Sequence, residues 1–500
     1  MSNPTSEGLL KAAIAAHRFG LGEASLDVVG ADPARWLTAQ IGPADAPRGE
    51  GLLGTSQALA HVAAERAQRR ERKAAGTAAA ADLAASAPKG SMADQAAMQA
   101  AAQAAEQAAA GHYREVIVAD ARSRLLTAAL TARPFAERLH WFWTNHFTVS
   151  LAKGSARGLV GAFERDAIRP NIAGSFEQLL VASTTHPAML RYLDNFQSAG
   201  PHSQIVERAA KRAARMDESP RVTGLNENLA REVLELHTLG AASARGPDPA
   251  YGQADVTAFA RVLTGWRNGY QDSDEARTFD PAWHEPGPKS LLGKTYPEGP
   301  DALRMVLHDL SQHPATAQFV ATKLARHFVA DDPPPALVER LKATYLRSGG
   351  QLAPVYRELI ANPEAWNPQA MKLKTPEEFV ISSVRLFKLN PRMLDRDDLK
   401  SAAQTASGIV TLGQRPQAAP SPAGWSDRAE DWLGPDAVWK RVEWSTRAAS
   451  RLGNSIDARA LAAQSLGPLL SAETKTQLDR AADGPQALAL LLMAPEFQRR

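Results

Sequence analysis

Amphipathic helical patterns recur along the whole chain, whereas segments in which apolar and polar residues alternate are scarce. Apolar residues return at intervals of three and four over residues 113–130 and again over residues 254–266. This spacing puts them on one face of a helix, while alternation would indicate a strand. The sequence therefore predicts a mainly α fold, a multi-helical single globular unit with irregular loops and few or no strands.

Changes in composition divide the 500-residue chain into four parts. We expect N-terminal helices and a linker in residues 1–55, an Ala/Gln-rich and partly disordered helical arm in 56–111, a central helical core in 112–300, and a C-terminal helical part packed on that core in 301–500. Residues 197–223 are rich in Ser, Gly and basic side chains, which predicts a connection that serves as a lid or a plain linker.

Composition excludes several classes of protein and site. Lysine and arginine total 57 against 54 aspartates and glutamates, so the charge balance predicts no nucleic-acid partner. Cysteine is absent, which excludes disulfides, thiolate metal sites and cysteine nucleophiles. No apolar run reaches the ~18 residues that a transmembrane helix needs, so we expect no membrane span. The N-terminus lacks the pattern of a signal peptide, which makes the cytoplasm the default location and leaves an extracytoplasmic one open.

Residues 224–240, GLNENLAREVLELHTLG, combine more kinds of polar group than any other stretch. We predict a helix over 226–237. At about 100° per residue, Glu227, Arg231 and Glu235 fall on one side, opposite an apolar stripe. Either this face is a solvated row of ordinary ion pairs four residues apart, or it lines a cleft and supplies groups for metal binding or acid–base chemistry.

In the second interpretation the polar residues take specific roles. Carboxylates and imidazoles can exchange protons or hold a divalent metal, and a guanidinium or ammonium group can bind an anionic part of a substrate. The predicted residues are Glu232, Glu235, Arg231, His237 and Lys289 as catalytic groups, Asn226, Asn228 and Trp266 as substrate-binding groups, and His146, Glu227 and His284 as metal ligands. The zinc signature H-E-x-x-H is absent, so the sequence specifies no cofactor beyond an unidentified divalent metal.

Two of these predicted ligands lie outside the central helix. His146 follows Trp141 and Trp143 in the aromatic-rich segment WFWTNH, where a core histidine, a ligand or a haem pocket are all open. His284 and Lys289 lie in FDPAWHEPGPKS, a loop rich in Pro and Gly. Polar residues fixed in a loop indicate function more often than those on a helix face, although a surface turn is the alternative.

Ten segments resemble, in sequence order, a bacterial family known as the domain-of-unknown-function 1800 family. They are HRFGLG (17–22), WFWTNHFTVS (141–150), FERDAIRPNIAGSF (163–176), HPAMLRYLDN (186–195), GLNENLAREVLELHTLG (224–240), YGQADVTAFARVLTGW (251–266), FDPAWHEPGPKSLLGKTY (279–296), HPATAQFVATKLARHFVADDPP (313–334), KLKTPEEFVISSVRL (372–386) and PSPAGW (420–425). His17 stands where relatives often have another residue, so it is assigned to no site.

The resemblance implies a mostly helical fold with no agreed activity. It also implies a partner, because genes of this family often neighbour genes of the domain-of-unknown-function 1501 family. Proteins of that second family resemble alkaline phosphatases and sulfatases and often carry an export signal. An extracytoplasmic role is therefore an expectation from the resemblance.

Two classes of function remain open, so the sequence does not decide whether the protein is an enzyme. The first is a metal-assisted hydrolase that uses the acidic and histidine cluster of the 226–237 helix. The second is a non-enzymatic helical scaffold, or a partner of the phosphatase/sulfatase-like exported protein encoded nearby. The second is favoured by the absence of the G-x-S-x-G, P-loop and dinucleotide-binding motifs.

Overall fold

A computed structural model of the protein describes residues 6–86, 113–216, 224–245, 247–268, 277–369, 372–388 and 408–500. Helices dominate these ranges, which confirms the mainly α prediction. The α-helices are α1 Ser6–Ile14, α2 Pro33–Thr38, α3 Thr55–Ser86, α4 Arg114–Leu130, α5 Pro134–His146, α6 Val160–Phe163, α7 Phe176–Thr184, α8 Pro187–Tyr192, α9 Gln204–Met216, α10 Asn228–Glu232, α11 Gln253–Leu263, α12 Asp301–Gln312, α13 Pro314–Phe328, α14 Pro335–Arg347, α15 Leu352–Ala361, α16 Pro376–Leu386, α17 Pro435–Leu452, α18 Ala458–Leu466, α19 Ala472–Arg480, α20 Gly484–Met493 and α21 Pro495–Gln498.

Three of these helices continue directly into a π-helical turn. The π turns are Ala15–Phe19 after α1, Glu164–Ile168 after α6 and Val233–His237 after α10. Each contains a buried polar side chain, and these are His17, Glu164 and His237. The predicted helix over 226–237 is thus helical from Asn228 and changes from α to π at Val233.

The strands of the described residues form two antiparallel hairpins. In the first, β1 (Trp266–Asn268) pairs with β2 (Arg277–Phe279), and in the second, β3 (Lys289–Leu291) pairs with β4 (Lys294–Tyr296). The helix expected over 254–266 ends earlier, at Leu263, because the chain turns at Gly265 with φ of 87°. Trp266 therefore begins a strand instead of anchoring a helix.

Two predictions about the organisation of the chain have different outcomes in the structure. The connection predicted over 197–223 was wrong in its secondary structure, because α9 occupies much of it; high helix propensity of its Ala and Arg residues outweighed the loop-like composition. Of the Ala/Gln-rich arm, α3 covers the first part, while residues 87–112 lie outside the described residues. No helix in the described ranges is long and apolar enough to cross a membrane.

The core consists of two main clusters of buried apolar side chains. The larger includes Phe135, Trp143 and Phe328 and extends from α1 to the segment that follows α15. The second is built mainly from α16 and the helices after it, with Phe379 and Phe497 among its members. The start of α16 lies close to both clusters, and this position brings charged side chains into the interior.

Candidate functional site

The charged face of the central helix is half-exposed and internally paired. Arg231 lies 3.3 Å from Glu227 and 3.4 Å from Glu235, and 40% of its side chain is exposed. From α11, Gln253 and Thr257 donate to the Glu227 carboxylate at 2.8 and 2.6 Å. These five residues, called here the helix network, join α10 to α11 at the surface. The contacts fit the solvated ion-pair interpretation of the sequence.

The remaining polar residues of this helix lie around the network. Glu232 is half-buried, and burial together with repulsion from Glu235 raises its pKa above the ordinary value. Asn226 accepts a hydrogen bond from the backbone N–H of Asn228 at 2.9 Å, which closes a side-chain turn just before α10. The Asn228 side chain is exposed. The substrate-binding roles of Asn226 and Asn228 stay predictions.

His146 and His237 lie together in the aromatic core. The His146 Nε2 atom is 3.0 Å from the carbonyl oxygen of His237, and the rings of Phe147 and Phe176 surround the pair. Burial and the charge of Lys323 lower the pKa of both histidines, that of His237 to about 3. Both are therefore neutral at pH 7, and their setting is that of core residues.

His284 and Lys289 lie in contact, and Lys289 begins strand β3 instead of belonging to a loop. The Lys289 Nζ atom lies 2.9 Å from His284 Nε2, and His284 Nδ1 lies 2.7 Å from the carbonyl oxygen of Thr264. Burial lowers the pKa of both groups. Trp266, in β1, packs edge-on against Phe279. The His284 and Lys289 side chains thus satisfy each other within the β3–β4 region.

The predicted metal ligands do not converge. His146 contacts the His237 carbonyl, Glu227 belongs to the helix network, and His284 contacts Lys289. Within the ranges that the structure describes, no group of three or more His, Asp or Glu residues is placed to hold a metal ion. A metal role for these three residues stays a prediction.

A cleft elsewhere gathers more chemical functionality than any of these groups. It has a volume of about 70 Å³ and lies between α4, α5, α13, the start of α16 and the loop before α17. Its lining includes Arg124, Trp141, Thr144, Asn145, Thr148, Val149, His327, Thr375, Glu377, Glu378, Gln414, Pro416, Gln417, Ala419, Trp425, Ser426 and Asp427. We call it the cleft.

A buried His–Asp pair forms one wall of the cleft. His327 Nδ1 lies 2.8 Å from Asp427 Oδ1, and only 8% of His327 is exposed. Burial lowers the pKa of His327 more than the attraction of Asp427 raises it. Burial would raise the pKa of Asp427, but the attraction of His327, Lys372 and Arg500 outweighs burial and holds that pKa below its ordinary value. The pair is thus a neutral imidazole oriented by a carboxylate.

Two buried atoms of residues that line the cleft have unmet hydrogen-bonding capacity. His327 Nε2 and Trp141 Nε1 are buried, and neither has a hydrogen-bond partner among the described residues. With Nδ1–H directed at Asp427, Nε2 is an acceptor, whereas the indole N–H is a donor. Buried polar atoms in native proteins are rarely left unpaired. One cleft therefore offers an acceptor and a donor to a small polar molecule.

Paired charges hold the floor of the cleft in place. Arg124 Nε lies 2.6 Å from Glu377, and Arg124 NH1 lies 3.3 Å from Glu164. Burial opposes the charge on Arg124, but these carboxylates outweigh it and raise the pKa of Arg124. Glu378 pairs with Arg138 and, at 2.9 Å, with Arg500. Because every one of these side chains is buried, the pairs fix positions that solvent-exposed pairs would leave variable.

The loop that carries Trp425 and Asp427 is clamped to the end of α5. Asn145 donates to the Trp425 carbonyl at 2.8 Å and accepts from the Trp425 N–H at 2.7 Å. Gly424 adopts φ of 83°, and a Cβ there would lie 2.6 Å from two oxygens of Asn145. The residue must therefore be glycine for the loop to approach this closely. This explains why the segments WFWTNHFTVS and PSPAGW belong together.

Sequence reasoning singled out the segment of Trp141 but missed His327, Asp427, Arg124 and Glu377 as residues of the cleft. His327 and Asp427 are 100 positions apart, and Arg124 and Glu377 are 253 apart, so no local spacing connects them. A signal existed in the segments 313–334 and 420–425, since the first contains His327 and the second ends two residues before Asp427. Only the fold shows that the two segments meet.

Comparison with known proteins places the chain in one family. The model of a family described as "Protein of unknown function (DUF1800)" matches residues 14–499. This range includes the whole cleft. No curated protein and no solved structure matches the chain.

Proposed function

We propose that this chain, which belongs to the DUF1800 family of proteins of unknown function, is a hydrolase. It hydrolyses a small ester or amide in the cleft, with a water molecule that His327 activates. The observation that carries this proposal is the unpaired Nε2 of a histidine whose Nδ1 is held by Asp427 at 2.8 Å. That arrangement of carboxylate, imidazole and free nitrogen is the one that general-base catalysis uses.

The reaction follows from the order of these contacts. A water molecule in the cleft gives a proton to His327 Nε2 as its oxygen attacks the acyl carbon. The Asp427 carboxylate stabilises the imidazolium that forms. His327 then gives the proton to the leaving alkoxide or amine, and the carbon–oxygen or carbon–nitrogen bond breaks. Water serves as the nucleophile because cysteine is absent from the chain and no described hydroxyl bonds to His327 Nε2.

Trp141 supports the same reaction as a hydrogen-bond donor. Its unpaired indole N–H is a fixed donor for the substrate carbonyl oxygen, which gains negative charge during the attack. Arg124, whose guanidinium lies 5.1 Å from the Trp141 ring centre, fixes the position of the indole. The cleft thus combines a base and an oxyanion donor.

The test uses substitutions that keep the shape of the cleft. His327→Gln and Asp427→Asn should each lower kcat/KM for a chromogenic acyl substrate by at least ~100-fold, because they remove the base or its orienting carboxylate. Trp141→Phe should lower it by ~100-fold through loss of one oxyanion donor. The substrates are p-nitrophenyl esters and anilides of short acids, assayed with a chelator and with added Mn²⁺, Zn²⁺ or Mg²⁺.

His308→Gln is the matched control. His308 also pairs with a carboxylate, Glu177 at 2.9 Å, but 56% of its side chain is exposed. This variant should keep full activity. Wild-type protein that turns over none of the acyl substrates, or a folded His327→Gln variant with unchanged kcat/KM, would contradict the proposal. Turnover that requires added metal and is lost in Glu232→Gln would instead support the metal-assisted hydrolase predicted from the central helix.

A second candidate is the scaffold or partner-binding role. One observation favours it: Leu433, Val438 and Trp439 are close in sequence around the start of α17 and are 41%, 38% and 63% exposed. Exposed apolar groups of this size are typical of protein interfaces. The partner expected from the family resemblance is a protein of the domain-of-unknown-function 1501 family. Co-elution with that protein, lost on Trp439→Ser, is the measurement that separates this role from hydrolysis.

A further inference from the structure

A second cavity is lined by Arg500, which also pairs with Glu378 of the cleft. It has a volume of about 220 Å³, three times that of the cleft, which is enough for a small metabolite. Its lining comes mainly from the π turn after α1 and from the last residues of the chain, and it includes His17, Arg18, Glu496, Arg499 and Arg500. We call it the basic cavity.

The interior beside this cavity contains more cations than anions. Arg18, Arg138, Lys374, Arg441 and Arg500 are each at most 3% exposed. Their charges repel each other, since Arg500 acts on Arg18, Arg138 and Lys374, and Arg441 acts on Lys374. Of the side-chain carboxylates in the described residues, Glu378 alone forms an ion pair with members of this set.

Arg18 shows this excess of buried positive charge most directly. Its guanidinium donates to two backbone carbonyls, of Ala365 at 2.7 Å and of Gln369 at 2.9 Å, and its Nε atom has no partner within the described ranges. Burial and repulsion from Arg500 lower the pKa of Arg18 to about 10, so it remains charged at neutral pH. A buried charge without a counterion is costly, and arginine cannot escape the cost by losing its proton.

A buried lysine or histidine can avoid that cost by losing its proton, so the protonation of Lys374 and His17 decides how many charges remain. Lys374 Nζ has no hydrogen-bond partner in the described part of the chain and lies 4.0 Å from the ring centre of Phe497. Burial holds its pKa well below the ordinary value. Burial and Lys374 lower the pKa of His17 to about 3. Even with both neutral, Glu378 pairs with only two of the four buried arginines, Arg138 and Arg500, and no carboxylate of the described residues forms an ion pair with Arg18.

Two of the carboxylates near the cavity are already engaged. Glu496 lines the cavity, but it accepts hydrogen bonds from the Ser471 N–H at 3.0 Å and from the Thr474 hydroxyl at 3.0 Å. Asp427 is held by His327. The protein interior therefore supplies no further side-chain anion to Arg18 from these two neighbours.

We propose that the basic cavity binds a small oxyanion, the phosphate or carboxylate group of a metabolite, through Arg18 and Arg499 with Arg500 at its inner end. Arginine presents paired N–H donors that match both kinds of oxyanion. The unpaired Arg18 Nε and the open volume beside it are the features that such a ligand satisfies. This inference does not depend on hydrolysis in the cleft.

Calorimetric titration of the full-length protein tests the proposal, with inorganic phosphate, succinate and citrate as probes and sodium chloride at equal ionic strength as the blank. Saturable binding of phosphate alone indicates a phosphate-bearing ligand, and binding of the carboxylates alone indicates a carboxylate ligand. Arg18→Gln should weaken the binding at least ~10-fold, since it removes the buried positive charge and its unpaired Nε–H donor. Arg499→Gln, on the half-buried rim, provides a second variant that preserves the Arg18 contacts.

Arg35→Gln is the matched control, because Arg35 is exposed on α2 and should leave the affinity unchanged. Absence of saturable binding for all three probes would overturn the proposal. So would equal affinity in wild type, Arg18→Gln and Arg499→Gln. An equal loss of affinity in Arg35→Gln would show that the anions bind through general surface charge, which also overturns it.

Discussion

The helix network and the cleft use the same kinds of side chain in opposite settings. In the helix network, Arg231 pairs with two glutamates of its own helix, and 40% of Arg231 is exposed. In the cleft, Arg124 pairs with two glutamates from distant segments, and 9% of its side chain is exposed. Water screens the first set, whereas the second is fixed and desolvated. Burial of polar residues is therefore a stronger indicator of chemistry than their density along the sequence.

The largest expected effect comes from exchanging the two arginines for methionine. Arg124→Met leaves Glu164 and Glu377 buried without their cation and should lower the free energy of unfolding by about 3–5 kcal/mol. Arg231→Met removes only exposed pairs and should cost at most about 1 kcal/mol. Urea denaturation of both variants measures the contrast. Equal losses would break the comparison, because the two networks would then be energetically alike.

A smaller effect is expected from two glycines that both have positive φ. Gly424→Ala forces a Cβ within 2.6 Å of Asn145 oxygens, whereas a Cβ at Gly30, with φ of 75°, meets no atom within 4 Å. Backbone strain should cost about 1 kcal/mol at either site, and the collision should add about 1–3 kcal/mol at Gly424. Thermal unfolding reports the difference. If Gly424→Ala proves as mild as Gly30→Ala, the loop that carries Asp427 is less tightly clamped than the structure shows.

The smallest expected effect is on the pH dependence of stability. It distinguishes the buried side of the central helix, with His237, from the exposed side, with Arg231. The pKa of His237 is lowered to about 3 in the folded protein, against an unfolded value near 6.5. The unfolded chain therefore binds more protons below pH 6.5, so acid favours unfolding by about 1.4 kcal/mol per pH unit for this residue, until the pH approaches the folded value. His237→Phe should remove that part of the slope between pH 6.5 and 5.5.

The control for this measurement lies on the same helix. Arg231→Met should change the slope over pH 6.5–5.5 less than His237→Phe does, because both ion pairs of Arg231 are with carboxylates and neither involves a histidine. Stability curves of wild type and both variants at several pH values provide the test. A slope that Arg231→Met changes as much as His237→Phe does would show that the two faces are coupled.

Much of the fold was predictable from sequence, because helical spacing is a local property. The helix predicted over 254–266 is present as Gln253–Leu263, although its predicted last turn is replaced by a turn at Gly265 and the start of β1. The cleft was not predictable in the same way. His327 looks like any residue in an amphipathic helix, and its role depends on Asp427, which a distant loop delivers. Pairing across such separations is decided by packing, which no local pattern records.

The π turns affect how the sequence of this chain aligns with those of its relatives. A π turn contains one residue more than an α turn, so each of Ala15–Phe19, Glu164–Ile168 and Val233–His237 accommodates a surplus residue. Removing that residue would rotate the following segment by about 100°. His17 at the basic cavity, Glu164 beneath the cleft and His237 in the aromatic core would then face elsewhere. A relative with a one-residue gap at one of these three positions in an alignment would therefore lack the corresponding arrangement of side chains.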